Sequence, residues 1–298
     1  MVCLIRKSVW ERKVVINAML LKQGRAQFAA NRAARTSVIV LLVIILLAIF
    51  GPWFSPNNGE DIDYDYIAAA PTLEQGHLFG TDSIGRDLFV RTLQGTRMSL
   101  FIGIVATLVS LLIGINYGAI AGYFGGRVDA VMMRIVDILY AMPFMFFVIL
   151  LMVFFGRNLI LIFVAIGAIN WLDIARIVRG QTLSLRSREF VDSARVSGAS
   201  HWQIIRRHII PNLMGVVIVY VTLTIPQVIL VESFLSFLGL GIQEPQASLG
   251  SLVSEGAQEM ETYPWVLIFP ALFLSILLFG FNLIGDGLRD VWDPKQRR

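Results

Sequence analysis

Six apolar runs alternate with polar intervals along the 298 residues, and each is long enough to cross a bilayer as a helix. The first covers 36–54 and ends at Gly51-Pro52-Trp53. No small-residue cleavage site follows it, so it predicts an uncleaved first transmembrane helix rather than a signal peptide. The others are expected at about 98–123, 128–155, 159–177, 213–235 and 265–284. The fifth, as a helix, would measure about 34 Å. Proline punctuates three of them: Pro143, Pro226 and Pro270 are candidate pore hinges, and Pro226 predicts a kink. The pattern defines an all-α integral membrane protein with six transmembrane helices.

The intervals differ from one another. Residues 1–35 mix eight basic side chains with apolar ones, which predicts an amphipathic cytoplasmic tail lying on the lipid headgroups. Residues 55–97 are acidic and too long for a turn, so an outer, periplasmic loop is expected there. In the second run Gly114, Gly118 and Gly122 recur every four residues, a small-xxx-small face that lets helices approach closely. That face could meet a partner subunit or pack within this bundle. Arg134 with Asp137, and Asp173 with Arg176, are spaced to pair along single helices at the membrane edge. The stretch 232–241 reads as a short helix or a re-entrant segment, and the following interval to Pro264 carries Glu244, Glu255, Glu259 and Glu261 without a Lys or Arg.

Charge fixes the orientation. Hydrophobic residues make up 56% of the chain and charged ones only 15%, which excludes an ordinary soluble domain. The net charge of +4 does not point to nucleic acid, because the basic residues sit in loops. With the N-terminus inside and six spans, 21 of the 25 Lys and Arg fall on the cytoplasmic side. Both termini, including a tail over 289–298, are then cytoplasmic. A single cysteine, Cys3, excludes an internal disulfide and a cysteine metal cluster.

Little chemistry is available to the chain. Gly80, Gly85 and their neighbours are followed by no Lys-Ser/Thr, so there is no phosphate loop. The three histidines, His77, His201 and His208, have no metal-ligand spacing, and no Gly-x-Ser-x-Gly elbow occurs. An intramembrane aspartyl protease built on Asp137 and Asp286 would place both acids near span ends, where they do not suit it. A self-sufficient secondary carrier would want polar groups at mid-membrane and internal repeats, and neither is visible. The expectation is a protein that is not an enzyme and binds no cofactor or metal of its own.

One water-compatible run organises the second half. From Glu189 to Val196 the sequence predicts a short helix, with Gly198 as its left-handed cap. Ser200 and Gln203 then have capping-box spacing for a second helix, on which Trp202, Ile205 and Ile209 share one face. Pro211 disfavours a helical Ile210 and marks a stop. The reading is a helical hairpin presenting a surface to water.

The run Asp192-Ser193-Ala194, then Gly198, then Pro211 resembles the EAA loop of permease subunits in binding-protein-dependent ABC importers. It departs from that pattern by Asp for Glu and Ser for Ala. Residues 79–87 and the terminus from Asn282 to Lys295 resemble, more narrowly, oligopeptide and dipeptide permeases of the C type. The resemblance covers nearly the whole chain, although nickel and glutathione permeases share much of it. It implies the type I importer permease fold in the inner membrane, with a permease core over 98–288 and the coupling loop over 185–212. By the same resemblance Glu189, Asp192, Ser193, Ala194, Gly198, Trp202 and Pro211 serve coupling to ATPase subunits. The implied partners are a second, B-type permease, two ATP-binding subunits that use ATP and Mg, an extracytoplasmic peptide-binding protein, peptide and lipid.

Overall fold

The computed structural model describes residues 26–72, 76–155 and 159–292. Residues 1–25 of the expected tail over 1–35, residues 73–75, the turn at 156–158 and the last six residues lie outside the described residues. Long helices carry the fold: α1 (Arg32–Phe54), α2 (Leu88–Phe124), α3 (Gly126–Ala141), α4 (Phe144–Phe155), α5 (Leu159–Leu185), α6 (Glu189–Val196), α7 (His201–Ile204), α8 (Ile210–Phe237), α9 (Leu249–Glu259) and α10 (Pro264–Trp292). A π-helical turn, Ile205–Ile209, joins α7 to α8. Among the described residues, four helices are long and apolar enough to cross a membrane: α1, α2, the run His201–Phe237, and Pro264–Val291. Among the same residues α3 and α4, bent by 86° at the break between them, make a fifth crossing if they are taken together.

Helix α2 is the spine. Its 37 residues measure roughly 55 Å, nearly twice the hydrocarbon core. It begins at Leu88, ten residues before the apolar pattern does, because Asp87 caps it by accepting from Val90 N at 2.9 Å. The polar residues of that first part, Arg91, Thr92, Thr96 and Ser99, are buried by the outer loop and α9 rather than by lipid. Thr92 and Thr96 return their hydroxyls to the carbonyls four residues back, 2.7 Å each.

Glycine lets α2 and α5 touch along their length. A Cβ on Gly122 would stand 2.7 Å from the Arg179 carbonyl oxygen, and one on Gly114 would stand 2.7 Å from Ile174 Cβ. The helices α8, α1 and α10 complete the packing around this pair.

Three further boundaries differ from the sequence pattern. The expected helix over 128–155 is two helices, because Met142 takes an extended backbone ahead of Pro143, whose ring disfavours α geometry in the preceding residue. Helix α9, with Ser248 and Ser251 forming its capping box, occupies the interval after Gly241 that showed no apolar run. And α5 continues to Leu185, past the expected end at Ile177. By contrast α8 and α10 pass through Pro226 and Pro270 as single helices, with both prolines buried.

The predicted ion pairs also differ. Arg176 reaches across to Asp137 at 2.8 Å, and Arg179 binds Asp129 through two bonds of 2.8 and 2.5 Å. Both tie α5 to α3. Spacing within one helix favoured neighbours in sequence, but the antiparallel packing put longer-range partners closer.

Candidate functional site

The loop between α5 and α8 is built from its caps. Glu189 and Asp192 occupy the first turn of α6, where negative charge complements the helix dipole. At the other end Ser197 is the C-cap and Gly198 has φ +79°. Gly198 N donates to Arg195 O and Ala199 N to Ala194 O, both at 3.0 Å, which is a complete Schellman closure. Only glycine takes that backbone angle without penalty. Ser200 then caps α7: its hydroxyl accepts from Gln203 N at 3.3 Å, and Gln203 Oε1 accepts from Ser200 N at 2.9 Å.

The underside of the loop is fastened to the bundle. Val191, Ala194, Ile204, Ile205 and Ile209 enter one buried cluster with Ala119 and Tyr123 of α2, Ile174 and Val178 of α5, and Leu213 of α8. Tyr123 adds a hydrogen bond to His201 Nδ1 at 2.9 Å. Its ring also lies under the Arg195 guanidinium, 5.6 Å away. The loop is therefore a rigid extension of α2, α5 and α8.

The upper surface is open and partly apolar. Val196 is 90% exposed and Trp202 is 55% exposed, and Phe190 in the first turn of α6 is exposed as well. Glu189, Asp192 and Ser193 are exposed on the same short helix, and Ser193 Oγ donates to Glu189 O at 2.8 Å. Asp192 holds Arg195 at 3.0 Å. A Cβ on Gly198 would meet nothing within 4 Å. Of the singled-out residues, Ala194 faces inward and Glu189, Asp192, Ser193, Gly198, Trp202 and Pro211 are exposed.

Two local expectations are corrected. Trp202 does not share the face of Ile205 and Ile209; Ile204 takes that inner position. Pro211 does not stop a helix but starts one, with Ile210 already in α geometry. The π turn makes this possible, since Ile210 N donates to Ile205 O, and the widened turn relieves the clash a proline ring makes with the preceding carbonyls. Val196 and Phe190 were not singled out in the sequence. The signal for Val196 was available, as an apolar position opposite Val191 and Ala194 on an eight-residue helix, whereas Phe190, four residues before Ala194, flanks the buried face.

Long apolar helices around a glycine-packed spine, with a stiff loop offering an uncovered apolar tip, define the membrane-embedded subunit of a larger assembly. Residues 114–298 match the family of binding-protein-dependent transport system inner membrane components, and the chain belongs to that family. It is an inner-membrane protein. Residues 20–71 match the N-terminal transmembrane domain of oligopeptide transport permease C. The chain is 56% identical to the oligopeptide transport system permease protein OppC of Haemophilus influenzae, over 93% of this chain and 89% of that one. It is 55% identical to OppC of Escherichia coli K12, over 96% and 95%. Among solved structures it is similar in fold to a chain of the inward-facing MetNI methionine ABC transporter. That match has a TM-score of 0.54 and 20% identity, over 68% of this chain and 97% of that one.

Proposed function

We propose that this chain is a permease subunit of an ATP-driven oligopeptide importer, with the loop from Glu189 to Pro211 as its coupling element. The observation that carries the reading is the loop's two-sidedness. Its underside is locked into the bundle by Val191, Ala194, Ile204 and Ile209, while Val196 and Trp202 stand uncovered. Burial of such side chains in a partner's cleft would contribute about 1.5–3 kcal/mol each. A force on that tip passes into α2, α5 and α8 without being absorbed by loop flexing.

In this reading the chain has six spans with both termini in the cytoplasm. A B-type permease forms the other half of the pore, and two ATP-binding subunits grip the coupling loops. An extracytoplasmic binding protein delivers peptide. ATP and Mg belong to the ATP-binding subunits, so this chain breaks no covalent bond. Closure of the ATPases draws the coupling loops together and turns the helices outward-open; hydrolysis resets them.

The test is reconstitution in proteoliposomes. The chain alone is expected to hydrolyse no ATP and move no peptide, and to gain ATP-driven peptide uptake when its partners are added. Proton- or sodium-driven uptake by the chain alone would establish a secondary carrier instead. Competition with glutathione and nickel separates peptide from those substrates; the 37% identity to the glutathione permease GsiD of Shigella boydii makes that control necessary.

A further inference from the structure

The inner end of α2 is a socket on which the loop from Glu189 to Pro211 is seated. As a helix C-terminus it leaves carbonyl groups without partners inside the helix and carries partial negative charge. Three side chains from beyond α5 close on it. Arg186, the residue after α5, donates from Nη1 to Gly122 O at 3.3 Å. Arg195 of α6 lies over the Tyr123 ring, with its guanidinium carbon 5.6 Å from the centroid. His201, the first residue of α7, is hydrogen-bonded through Nδ1 to the Tyr123 hydroxyl at 2.9 Å. The imidazole also meets the rings of Tyr123 and Phe124, at 5.7 and 5.6 Å between centroids.

Tyr123 thus reaches both loop helices at once. It is only 5% exposed, so an arriving subunit meets the loop and not this side chain. Among the described residues its bond to His201 is the one hydrogen bond from α2 to α6 or α7. Through Arg195 the contact extends to Asp192, which Arg195 holds at 3.0 Å.

These contacts do something that the apolar cluster beneath the loop does not. Burial of Val191, Ala194, Ile204 and Ile205 keeps the loop down, but apolar burial has no preferred direction. A hydrogen bond, and a cation over a ring, do have preferred geometries. The Arg195–Asp192 pair, with side chains 44% and 60% exposed, adds little to stability. The polar contacts at Tyr123 therefore set the angle of α6 and α7 about the end of α2, while the apolar cluster sets how firmly the loop is folded.

We propose that Tyr123 is a positioning residue for coupling: it holds Asp192 and the start of α7 at a fixed angle to α2, so that movement of the loop turns α2 instead of slipping past its end.

The proposal deepens the coupling reading above and rests on it. The test uses the whole complex in proteoliposomes, with its second permease, ATP-binding subunits and binding protein, and a labelled mixture of short peptides. The readout is peptide taken up per ATP hydrolysed, with membrane abundance and co-purification of the ATP-binding subunits measured alongside. Tyr123→Phe removes only the buried hydroxyl. It is expected to lower that ratio by about threefold or more, within the reach of one hydrogen bond, with abundance and co-purification at wild-type levels. His201→Leu is expected to lower the ratio as well. His201→Asn, whose side-chain oxygen takes the place of Nδ1 as acceptor, is expected to keep it. Tyr123→Phe added to His201→Leu is expected to lower the ratio no further, because both changes remove the same bond. A wild-type ratio in Tyr123→Phe, or a further fall in the double variant, overturns the positioning role. If Tyr123→Phe does not accumulate, the exposed His201 decides, and equal ratios in its Leu and Asn variants overturn it. A wild-type complex that moves no peptide with ATP overturns the coupling reading and the proposal together, whereas any of the other failures removes the proposal alone.

Discussion

Gly122 on α2 lies against the backbone of α5, with its missing Cβ only 2.7 Å from the Arg179 carbonyl oxygen. Gly118 is closer still to the Ala175 carbonyl. Backbone atoms cannot rotate aside as a side chain would, so this face serves the chain's own bundle.

Gly118→Val is therefore expected to reduce the folded chain itself, since overpacking such a contact costs about 1–3 kcal/mol or more. Membrane abundance and thermal unfolding of the purified chain report it. Normal abundance with lost association to a second permease would show that the face belongs to a partner instead.

Gly198→Val should behave differently. No atom lies within 4 Å of its missing Cβ, so only the φ of +79° opposes substitution. That strain is about 1–3 kcal/mol, and it acts on a water-exposed cap rather than on the bundle. The variant is expected to accumulate but lose peptide uptake. Gly198→Asn, which tolerates the left-handed region, separates strain from bulk. Recovery with Asn assigns the defect to backbone strain, whereas failure of both assigns it to bulk in the docking cleft. Normal uptake in Gly198→Val would remove the lever assignment.

The ion pairs between α5 and α3 give a graded comparison. Arg179 grips Asp129 with two hydrogen bonds, and that carboxylate is only 11% exposed; Arg176 and Asp137 are both well exposed. Asp129→Asn is expected to destabilise by on the order of 2 kcal/mol, and Asp137→Asn by less than about 1 kcal/mol. Urea unfolding in detergent measures both. Equal effects would mean that the pairs do not differ in burial as described.

The long apolar helices and the capped loop from Glu189 to Pro211 were legible because each is written locally. An apolar run longer than 18 residues has one stable solution in lipid, and Gly198, Ser200 and Gln203 carry the cap geometry in their own side chains. What was not legible depends on distant partners. Leu88 to Arg97 looked like loop because Arg91, Thr92 and Thr96 are polar, and their burial requires the outer loop and α9 to be in place. Helix α9 itself is a short, serine- and glycine-rich segment whose Gly250 and Gly256 fit against Ser233 and Leu267. Pairing along a helix, Arg134 with Asp137, gave way to pairing across helices. Trp202 was placed by its spacing on one face with Ile205 and Ile209, but Ile204, the next residue but one, joins them in the core instead.

That last correction yields the sharpest comparison. Val196 and Val191 lie five residues apart on and around the same short helix, one 90% exposed and the other fully buried. An aspartate at Val191 would bury a charge without a partner and is expected to abolish accumulation of the chain. At Val196 it meets only water in the isolated chain, so abundance and unfolding temperature should match wild type within about 0.5 kcal/mol. If the exposed tip enters a cleft of an ATP-binding subunit, Val196→Asp must carry that charge into the interface. Co-purification of the ATP-binding subunits and ATP-driven uptake should then both fall at least about tenfold, the equivalent of about 1.4 kcal/mol. Trp202→Ala should weaken association by lost contact area, with its abundance equally untouched. Val196→Asp with normal abundance, normal co-purification and normal uptake would show that the uncovered tip stays in water, and the coupling contact would have to lie elsewhere on the loop.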